Sequence, residues 1–495
     1  MLQQIEKHLS SSDRTAFVIN DESYSYLELK LHVDRCYYFL MQHPKLALVG
    51  IIARNNIQTY AMLIATVLSD CGYVIINPAN PPERNEQITS ESGISVVLGC
   101  CIADASLLPA YLQFIALPSL PSPPHEVCYT HPDSSSIAYV LFTSGTTGKP
   151  KGVCISKANL EALLHSLAKL PLQVTQDDRV LQMFDLSFDG SVLMLFMSLC
   201  AGAAIYTVNP DRIKYLEIAR LMHSHKLSFV FVVPSVIGLL KPYLPSILLP
   251  DVRTFIVGAE AVSYSRLQSI LPCIPNASVW NLYGPTEATV CVMAYQMDSN
   301  VTNELHNGII PIGKPMPGVM HLVVDNNLAI CAQGEIGELY VGGEQLCQGY
   351  INAPERNSID FILYNWEGQA QRFYATGDLV YVNEFGNYMY CGRRDRQVKI
   401  QGNRIELAEI EHHAQAFTDC DAVAMVNELD GVLSLYLFIE NYTGTEADIL
   451  QHLSSKLPAY MVPRQIINLS HLPKTDSDKT DLQQLTKELL IRINK

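Results

Sequence analysis

Residues 143–152 hold a cluster of anion-binding groups. The stretch reads Thr-Ser-Gly-Thr-Thr-Gly-Lys-Pro-Lys-Gly and follows an apolar run, residues 137–142, that predicts a short buried strand. Glycines let backbone N–H groups approach an anion closely, hydroxyls donate further hydrogen bonds, and lysines add positive charge. The stretch differs from a Walker A loop, because only two residues separate Gly145 from Gly148 and a proline follows Lys149. It is either a phosphate-binding loop or a flexible polar loop.

Three further motifs follow downstream in a fixed order. They are residues 281–287 (Asn-Leu-Tyr-Gly-Pro-Thr-Glu), 374–379 (Tyr-Ala-Thr-Gly-Asp-Leu) and 392–400 (Gly-Arg-Arg-Asp-Arg-Gln-Val-Lys-Ile). Together with the loop they resemble the adenylate-forming superfamily, which comprises nonribosomal peptide adenylation domains, acyl- and aryl-CoA ligases and luciferases. The resemblance covers nearly the whole chain, from residue 24 to the region around Lys479.

Composition excludes several other classes of protein. The chain has 495 residues, of which 48% are hydrophobic and 17% charged, so it is not a mostly disordered chain. Its net charge of −15 argues against nucleic-acid binding, which depends on clustered Lys and Arg. The N-terminus has no apolar signal segment, and the 13 cysteines show no zinc spacing. Both features favour a cytoplasmic enzyme with reduced thiols.

The order of the predicted elements indicates an α/β fold. Strand-like runs alternate with helical patterns, for example 46–52 followed by 59–69, and 229–233 followed by 235–240. Such alternation is typical of parallel strands joined by crossover helices. The most membrane-like stretch, 192–208, is too short and too polar to span a bilayer, and predicts a buried helix that turns at Gly202 into a strand.

A second unit begins after Gly392, where charged residues become denser. The pattern predicts helices at 404–416 and 447–456 and strands near 422–426 and 434–439. We therefore expect a large α/β body and a small α+β lid, as the superfamily has. The boundary divides the chain into residues 1–394 and 395–495, because Asp395 matches the superfamily's hinge aspartate. A helix cap or a surface position is the alternative for this residue.

The resemblance implies an ATP site built from all four motifs. Tyr283 matches the aromatic that packs on adenine, and Asn281 faces the exocyclic amine of the base, for which an amide offers a donor and an acceptor. Asp378 matches the carboxylate that accepts both ribose hydroxyls, and Arg393 holds the nucleotide at the junction of the two units. The implied nucleotide contacts are Thr143, Ser144, Gly145, Thr146, Thr147, Gly148, Lys149, Asn281, Tyr283, Gly284, Thr286, Asp378 and Arg393.

Adenylation joins a carboxylate to the α-phosphate of ATP and expels pyrophosphate, so it requires cations. Glu287 matches the superfamily's Mg²⁺ ligand; a helix-capping role is the alternative. Near the C-terminus, Lys479 occupies the place of the lysine that bridges the substrate carboxylate and the phosphate. The family has Asn-Gly-Lys there, whereas this chain has Ser-Asp-Lys at 477–479. Lys474 is the alternative catalytic lysine.

The segment around Asp189 indicates the class of carboxylic acid. Amino-acid-activating members carry an Asp at this position, where it pairs with the α-ammonium, and fatty-acid and aryl-acid members generally lack it. A carboxylate in an apolar run is costly to bury unless a cation meets it. The alternative is that Asp189 caps the helix beginning at Gly190.

The resemblance also implies the positions that line the side-chain pocket. None of those beyond Asp189 is charged; Gly190 and Gly258 are expected to leave room, and Phe231, Ile256 and Leu282 to supply apolar walls. This favours a medium aliphatic amino acid, with overlapping substrates because apolar pockets discriminate by only about 1–3 kcal/mol per methylene. The positions are Asp189, Gly190, Leu193, Phe231, Ile256, Gly258, Leu282, Val290 and Cys291.

The second half-reaction in the superfamily transfers the acyl group to a thiol after the lid rotates. Lys399 and Gly402 match the strip that then faces the phosphopantetheine arm. The motifs begin and end close to the chain termini, so we expect a free-standing ligase that loads a separate carrier protein with ATP and Mg²⁺ as cofactors. Length and residues 404–413 also resemble D-alanine–carrier protein ligases, which have Cys at the place of Gly258. An acyl-CoA ligase and an inactive nucleotide-binding scaffold are also compatible with the sequence.

Overall fold

The computed structural model describes residues 2–11, 13–130, 133–145, 149–429, 432–474 and 480–493. Four predicted site residues, Thr146, Thr147, Gly148 and Lys479, lie outside these ranges. Within them the chain forms a large N-terminal α/β body followed by a smaller C-terminal part, which confirms the predicted fold class.

The helices begin where the sequence offers capping residues. Ser25 and Glu28 form a capping box at the start of the second helix, and Thr445 and Asp448 form another at the twelfth, which satisfies N–H groups of the first turn. Within the described residues the helices are α1 Leu2–Ser11, α2 Tyr26–Gln42, α3 Ile57–Leu68, α4 Pro82–Ser92, α5 Lys157–Ala168, α6 Asp189–Ala201, α7 Lys214–Ser224, α8 Pro234–Leu240, α9 Tyr264–Ile270, α10 Pro354–Asp360, α11 Leu407–Thr418, α12 Glu446–Lys456 and α13 Leu482–Ile493.

The strands are short, and most are buried. In the described ranges they are β1 Thr15–Ile19, β2 Glu22–Ser25, β3 Leu48–Ile52, β4 Gly72–Ile76, β5 Val96–Gly99, β6 Gln113–Ala116, β7 Ile137–Thr143, β8 Lys151–Ser156, β9 Arg179–Gln182, β10 Ala204–Thr207, β11 Phe229–Val232, β12 Thr254–Gly258, β13 Ser278–Tyr283, β14 Met293–Gln296, β15 Lys314–Pro315, β16 Val319–Val324, β17 Gly337–Gly343, β18 Gly349–Tyr350, β19 Phe361–Trp366, β20 Gln369–Val382, β21 Tyr388–Arg393, β22 Val398–Ile400, β23 Asn403–Ile405, β24 Ala422–Leu429, β25 Val432–Glu440 and β26 Gln465–Leu469.

Two sheets with mainly parallel strands build the body. One has the order β18-β8-β7-β4-β3-β5-β6, and the other the order β15-β14-β13-β12-β11-β9-β10-β1-β2. Helix α3 is almost wholly buried between them: it contacts β3 and β4, and its Tyr60 stacks on Phe17 of β1. The parallel strands β9, β11, β12 and β13 end at the same edge, and ligands commonly bind at such an edge.

A third, antiparallel sheet brings two of the predicted nucleotide residues together. Its order is β16-β17-β20-β19, with β21 paired to β20. The β20–β21 register places Asp378 opposite Arg393. Their ion pair is thus fixed by backbone pairing.

The C-terminal part has its own apolar core. Side chains of Ile400, Ile405, Ile410, Leu437 and Leu453 belong to a cluster made only of residues beyond 397. The core joins the β22–β23 hairpin, helices α11 and α12, and the sheet β24-β25-β26. The expected boundary at residue 395 lies between β21 and β22 and stays a prediction.

Most predicted elements are confirmed, with one correction. The helix predicted at 404–416 begins only at Leu407, because Asn403–Ile405 is a strand paired with Val398–Ile400. Pairing with the neighbouring strand overrides the helical pattern there. The predicted turn at Gly202 is confirmed, since α6 ends there with φ of 73° and β10 follows. Across the described ranges, no helix is both long and apolar enough to cross a membrane.

Candidate active site

One cavity of about 300 Å³ collects most of the predicted residues. It lies between the ends of β7, β12 and β13, the start of α6, and the β22–β23 hairpin. The predicted site residues on its wall are Thr143, Ser144, Asp189, Gly190, Phe231, Leu282, Gly284, Thr286, Val290, Cys291, Asp378, Arg393, Lys399 and Gly402. The described predicted residues that do not reach the wall in this conformation are Gly145, Lys149, Leu193, Ile256, Gly258, Asn281, Tyr283, Glu287 and Asp395.

Asp189 is a half-buried carboxylate on the cavity wall. Its Oδ2 accepts a hydrogen bond from Thr286 Oγ1 at 2.7 Å, and burial raises the pKa of its carboxyl. Phe188 is the N-cap of α6, without a side-chain cap bond, and Asp189 is the first helical residue, whose carboxylate also accepts from the backbone of Gly190. The helix-capping alternative for Asp189 therefore stays a prediction. A ligand cation in the cavity would relieve the cost of this charge.

The side-chain pocket differs in one respect from the expectation. Gly190 and Gly258 do not leave open room: a Cβ on Gly190 would lie 2.8 Å from the Phe184 ring, and one on Gly258 would lie 2.3 Å from the Leu282 carbonyl. These glycines instead allow close packing of the wall. Phe184 meets Phe231 edge to face at 4.8 Å, so the wall there is aromatic.

Asp378 lies at the other end of the cavity and is held from two sides. Tyr283 donates its hydroxyl to Oδ2 at 2.5 Å, and Arg393 donates to Oδ1 at 2.6 Å. Arg393 also pairs with Asp395, at 2.7 and 2.9 Å. Asp395 caps no helix; it lies just after β21 and fixes the arginine. Asn281 is buried behind the cavity wall and donates its side-chain amide to the Pro311 carbonyl at 2.8 Å.

Glu287 is fully buried, and its carboxylate is paired with an arginine. Arg404 Nη1 lies 2.9 Å from Oε1 and 2.7 Å from Oε2, and the Tyr350 hydroxyl donates to Oε1 at 2.7 Å. Burial by itself raises the pKa of this carboxyl, but the charges of Arg404 and Lys151 outweigh it and lower the pKa to about 2. The residue lies in a single 3₁₀ turn, Thr286–Ala288, so the helix-capping alternative is wrong.

A tight hairpin places Arg404 and Lys399 in the cavity. Gln401 and Gly402 form a two-residue turn with φ of 51° and 77°, as a type I′ turn requires. The register sets Lys399 opposite Arg404, so both side chains lie on one face. The Lys399 ammonium lies 5.9 Å from the centre of the Tyr283 ring. Lys399 therefore covers the aromatic face that is predicted to receive adenine.

The body holds the turn of the hairpin through Glu260. One carboxylate oxygen accepts the Gly402 N–H and the other accepts the Ser235 N–H, both at 2.9 Å. A Cβ on Gly402 would lie only 2.7 Å from Cγ1 of Val233. The turn therefore fits against the body closely enough to require glycine.

The phosphate-loop segment also holds the C-terminal part. Ser144 Oγ donates to the Arg404 carbonyl at 2.9 Å, and Gly145 N–H donates to the Glu409 carboxylate at 3.1 Å. The other oxygen of Glu409 pairs with Arg84 at 2.7 Å, and both side chains of this ion pair are almost wholly buried. In this conformation Ser144 and Gly145 of the predicted phosphate loop donate their hydrogen bonds to groups of the C-terminal part.

The sequence does not reveal two residues of the site. Its pattern assigns Arg404 only to the start of a helix; the glycine turn two residues before it is the available signal. Gln397 is only 5% exposed and lies on the cavity wall beside Asp378. Neither amide atom of Gln397 has a hydrogen-bond partner among the described residues. The position of Gln397 relative to the predicted hinge gives no indication that this residue lies in the site.

Comparison with known proteins identifies the family of the chain. The sequence matches the family of AMP-binding enzymes over residues 6–351. The chain belongs to this family. The predicted adenylate-forming superfamily is therefore confirmed. This AMP-binding enzyme is 30% identical over 484 residues to tyrocidine synthase 3 of Brevibacillus parabrevis, a match that covers 96% of this chain but only 7% of that protein.

A relative of similar length is zwittermicin A synthase ZmaJ of Bacillus cereus. It is 29% identical over 503 residues, which cover 97% of the AMP-binding enzyme and 93% of ZmaJ. Two solved structures share the fold, each with a TM-score of 0.87 and 24% identity. The Vibrio cholerae adenylation domain AlmE, in complex with glycyl-adenosine-5′-phosphate, matches over 99% of this chain and 97% of its own. PA1221, an NRPS protein containing adenylation and PCP domains, matches over 98% and 84%.

Proposed function

We propose that this chain activates an amino acid with ATP, forming an aminoacyl adenylate and pyrophosphate, and then transfers the aminoacyl group to the phosphopantetheine thiol of a separate carrier protein. Membership of the AMP-binding family supports the adenylation step. Similarity to peptide synthetases such as tyrocidine synthase 3 supports an amino acid as the substrate. The proposed product is a thioester, so the chain acts as an amino acid–carrier protein ligase.

The proposed nucleotide site is the end of the cavity near Asp378. Each oxygen of this carboxylate accepts one hydrogen bond, from Tyr283 or Arg393, and its remaining lone pairs are the proposed acceptors for the ribose hydroxyls. Tyr283 offers a ring to adenine once Lys399 leaves its face. Glu287 is the proposed Mg²⁺ ligand, and one carboxylate suits a cation that keeps most of its waters.

The observation that carries the substrate class is the position of Asp189. Its carboxylate lies on the cavity wall and accepts from neutral donors, the Thr286 hydroxyl and the Gly190 backbone, and no ion pair of Asp189 is seen among the described residues. An α-ammonium in the cavity would neutralise it. Plain fatty or aryl acids carry no such group.

We infer that the side chain of the substrate is apolar and of medium size. The wall of the pocket presents Phe231, Leu282, Val290 and Cys291, with the Phe184 ring over Gly190. A charged side chain would have no partner among these residues. Leucine, isoleucine and valine are the proposed substrates, and because Phe184 fills space that glycine was expected to open, the larger aromatic acids fit less well.

The position of the hairpin supports a second half-reaction. Lys399 and Gly402 lie on the cavity wall, as predicted for the face that receives the phosphopantetheine arm. The similar protein PA1221 carries a PCP domain beside its adenylation domain. Lys479 remains the proposed catalytic lysine of adenylation and lies outside the described residues.

The test is amino-acid-dependent ATP–pyrophosphate exchange across the twenty L-amino acids and D-alanine. Exchange with an aliphatic L-amino acid, followed by mass-spectrometric detection of an aminoacyl group on a phosphopantetheinylated carrier, is the expected result. Strong exchange with D-alanine alone would favour a D-alanine ligase. Efficient acylation of free CoA would favour an acyl-CoA ligase. Absence of exchange with every acid would indicate a nucleotide-binding scaffold.

A further inference from the structure

The carboxylate proposed to bind Mg²⁺ is already paired with a cation of the chain. Glu287 is 0% exposed, and both its oxygens lie within 2.9 Å of Arg404 Nη1. The Tyr350 hydroxyl also donates a hydrogen bond to Oε1, and Arg404 Nη2 donates to the Tyr374 hydroxyl at 3.2 Å. A divalent cation does not fit at Glu287 in this arrangement.

The same carboxylate stays ionised only while a cation lies beside it. An uncompensated buried charge costs several kcal/mol, and losing one partner of a buried pair costs about 3–5 kcal/mol. Lys151 contributes positive potential, but its ammonium lies over the Tyr350 ring rather than within ion-pair distance of Glu287. When Arg404 is absent, the carboxylate is neutralised either by a proton or by another cation that takes the place of the guanidinium.

Arg404 belongs to the hairpin, so withdrawal of the hairpin from the body takes the guanidinium away from Glu287. The backbone carbonyl of Arg404 accepts from Ser144, and the turn two residues earlier is held by Glu260. Lys399, opposite it in the register, moves with it. Withdrawal of Arg404 therefore uncovers Glu287 and the Tyr283 ring in one motion.

We propose that Glu287 is one site for two cations, a divalent metal or the guanidinium of Arg404, and that the two exclude each other. This inference rests on the proposed role of Glu287 in metal binding. With metal bound, the hairpin is outside the cavity and the nucleotide end is open. With Arg404 bound, the hairpin lines that end of the cavity, and the charge of the carboxylate is still neutralised. Each arrangement thus keeps Glu287 paired.

The first test measures binding of Mn²⁺ alone by electron paramagnetic resonance, on the full chain without nucleotide. Arg404→Gln should bind Mn²⁺ at least about tenfold more tightly than the wild type, because a competing charge is removed. Adding Glu287→Gln to that variant should abolish the gain. Arg394→Gln is the matched control, since this exposed arginine pairs with Glu338 away from the cavity. Arg404→Lys, which keeps the charge, should stay close to the wild type.

Equal Mn²⁺ affinity in the wild type and Arg404→Gln, with both folded by circular dichroism, would overturn the inference. Tighter Mn²⁺ binding by Arg404→Gln that persists when Glu287→Gln is added would also overturn the inference. The proposed function is tested separately, by Mn²⁺ binding in the presence of ATP. If Glu287→Gln binds Mn²⁺ with ATP as tightly as the wild type, Glu287 is not a metal ligand. If Glu287→Gln weakens this binding but Arg404→Gln has no effect on Mn²⁺ affinity, Glu287 binds metal but does not share its site with Arg404.

A second measurement needs no change at Arg404. Hydrogen exchange of the wild-type hairpin, residues 398–405, should accelerate when MgCl₂ replaces NaCl, because metal at Glu287 releases the Gly402 N–H from Glu260. The Glu287→Gln variant should show no such difference between the two salts. Hairpin exchange that is unaffected by MgCl₂ in the wild type, at concentrations where Mn²⁺ is seen to bind Glu287, would refute mutual exclusion.

Discussion

Replacing Asp189 by asparagine tests the substrate class most directly. The change keeps the shape of the side chain and its bond with Thr286 but removes the charge. Stranding a desolvated charge costs about 2–5 kcal/mol. Asp189 is only half-buried, so water in the cavity screens part of this effect. We therefore expect the lower part of the range, about 2–3 kcal/mol, or roughly 30- to 150-fold in kcat/KM for leucine.

The assay is ATP–pyrophosphate exchange with leucine and with 4-methylpentanoate, which lacks the ammonium. The wild type should strongly prefer leucine, and Asp189→Asn should lose that preference by losing activity with leucine only. Asp185→Asn is the matched control, because Asp185 lines the same cavity but is exposed and binds Asn77 and Ser187. If the wild type activates both acids equally, or the variant loses both equally, Asp189 does not recognise an ammonium.

Three further changes address other parts of the site. Lys479→Ala should abolish exchange but leave ATP binding by calorimetry nearly intact, because a charge delivered to the transition state contributes little to ground-state binding; Lys474→Ala is its control. Gly402→Ala should impair loading of a carrier thiol more than exchange, because its Cβ would meet Val233 at 2.7 Å. Gln397→Leu should raise KM for ATP roughly fivefold, about 1 kcal/mol, without lowering the thermal midpoint, because its amide forms no bond within the described chain.

Each of these expectations has a contrary outcome. Wild-type exchange in Lys479→Ala would move the catalytic role to Lys474. Equal loss of exchange and loading in Gly402→Ala would show that the hairpin acts in both half-reactions. A lower thermal midpoint with unchanged KM in Gln397→Leu would show that the amide is structural.

The fold was largely accessible from the sequence because it depends on local patterns. The apolar run before the phosphate loop, the alternation of strands with helices, and the glycine turn after α6 each depend on residues close together in the chain. The error at 404–416 is of a different kind. Residues 404 and 405 were included in the predicted helix, and pairing of Asn403–Ile405 with Val398–Ile400 makes them part of a strand.

The site was accessible only in part, because its decisive contacts join distant residues. The motifs identified Glu287 and Asp189, but nothing near Glu287 indicates that an arginine 117 positions later pairs with it. The packing of Phe184 over Gly190 likewise depends on how two segments fold against each other. Glycine in a pocket position is compatible with open space or with a tight fit, and sequence alone does not separate these.

Dissolved ions act unequally on two of the ion pairs that bridge the body and the C-terminal part. Lys456 and Glu83 meet at the surface, where the Debye length of about 8 Å at physiological salt weakens their attraction. The Arg84–Glu409 pair is only 4% and 0% exposed, so mobile ions do not reach it. Added NaCl should therefore weaken the surface pair and leave the buried pair, which joins α11 to α4, in place.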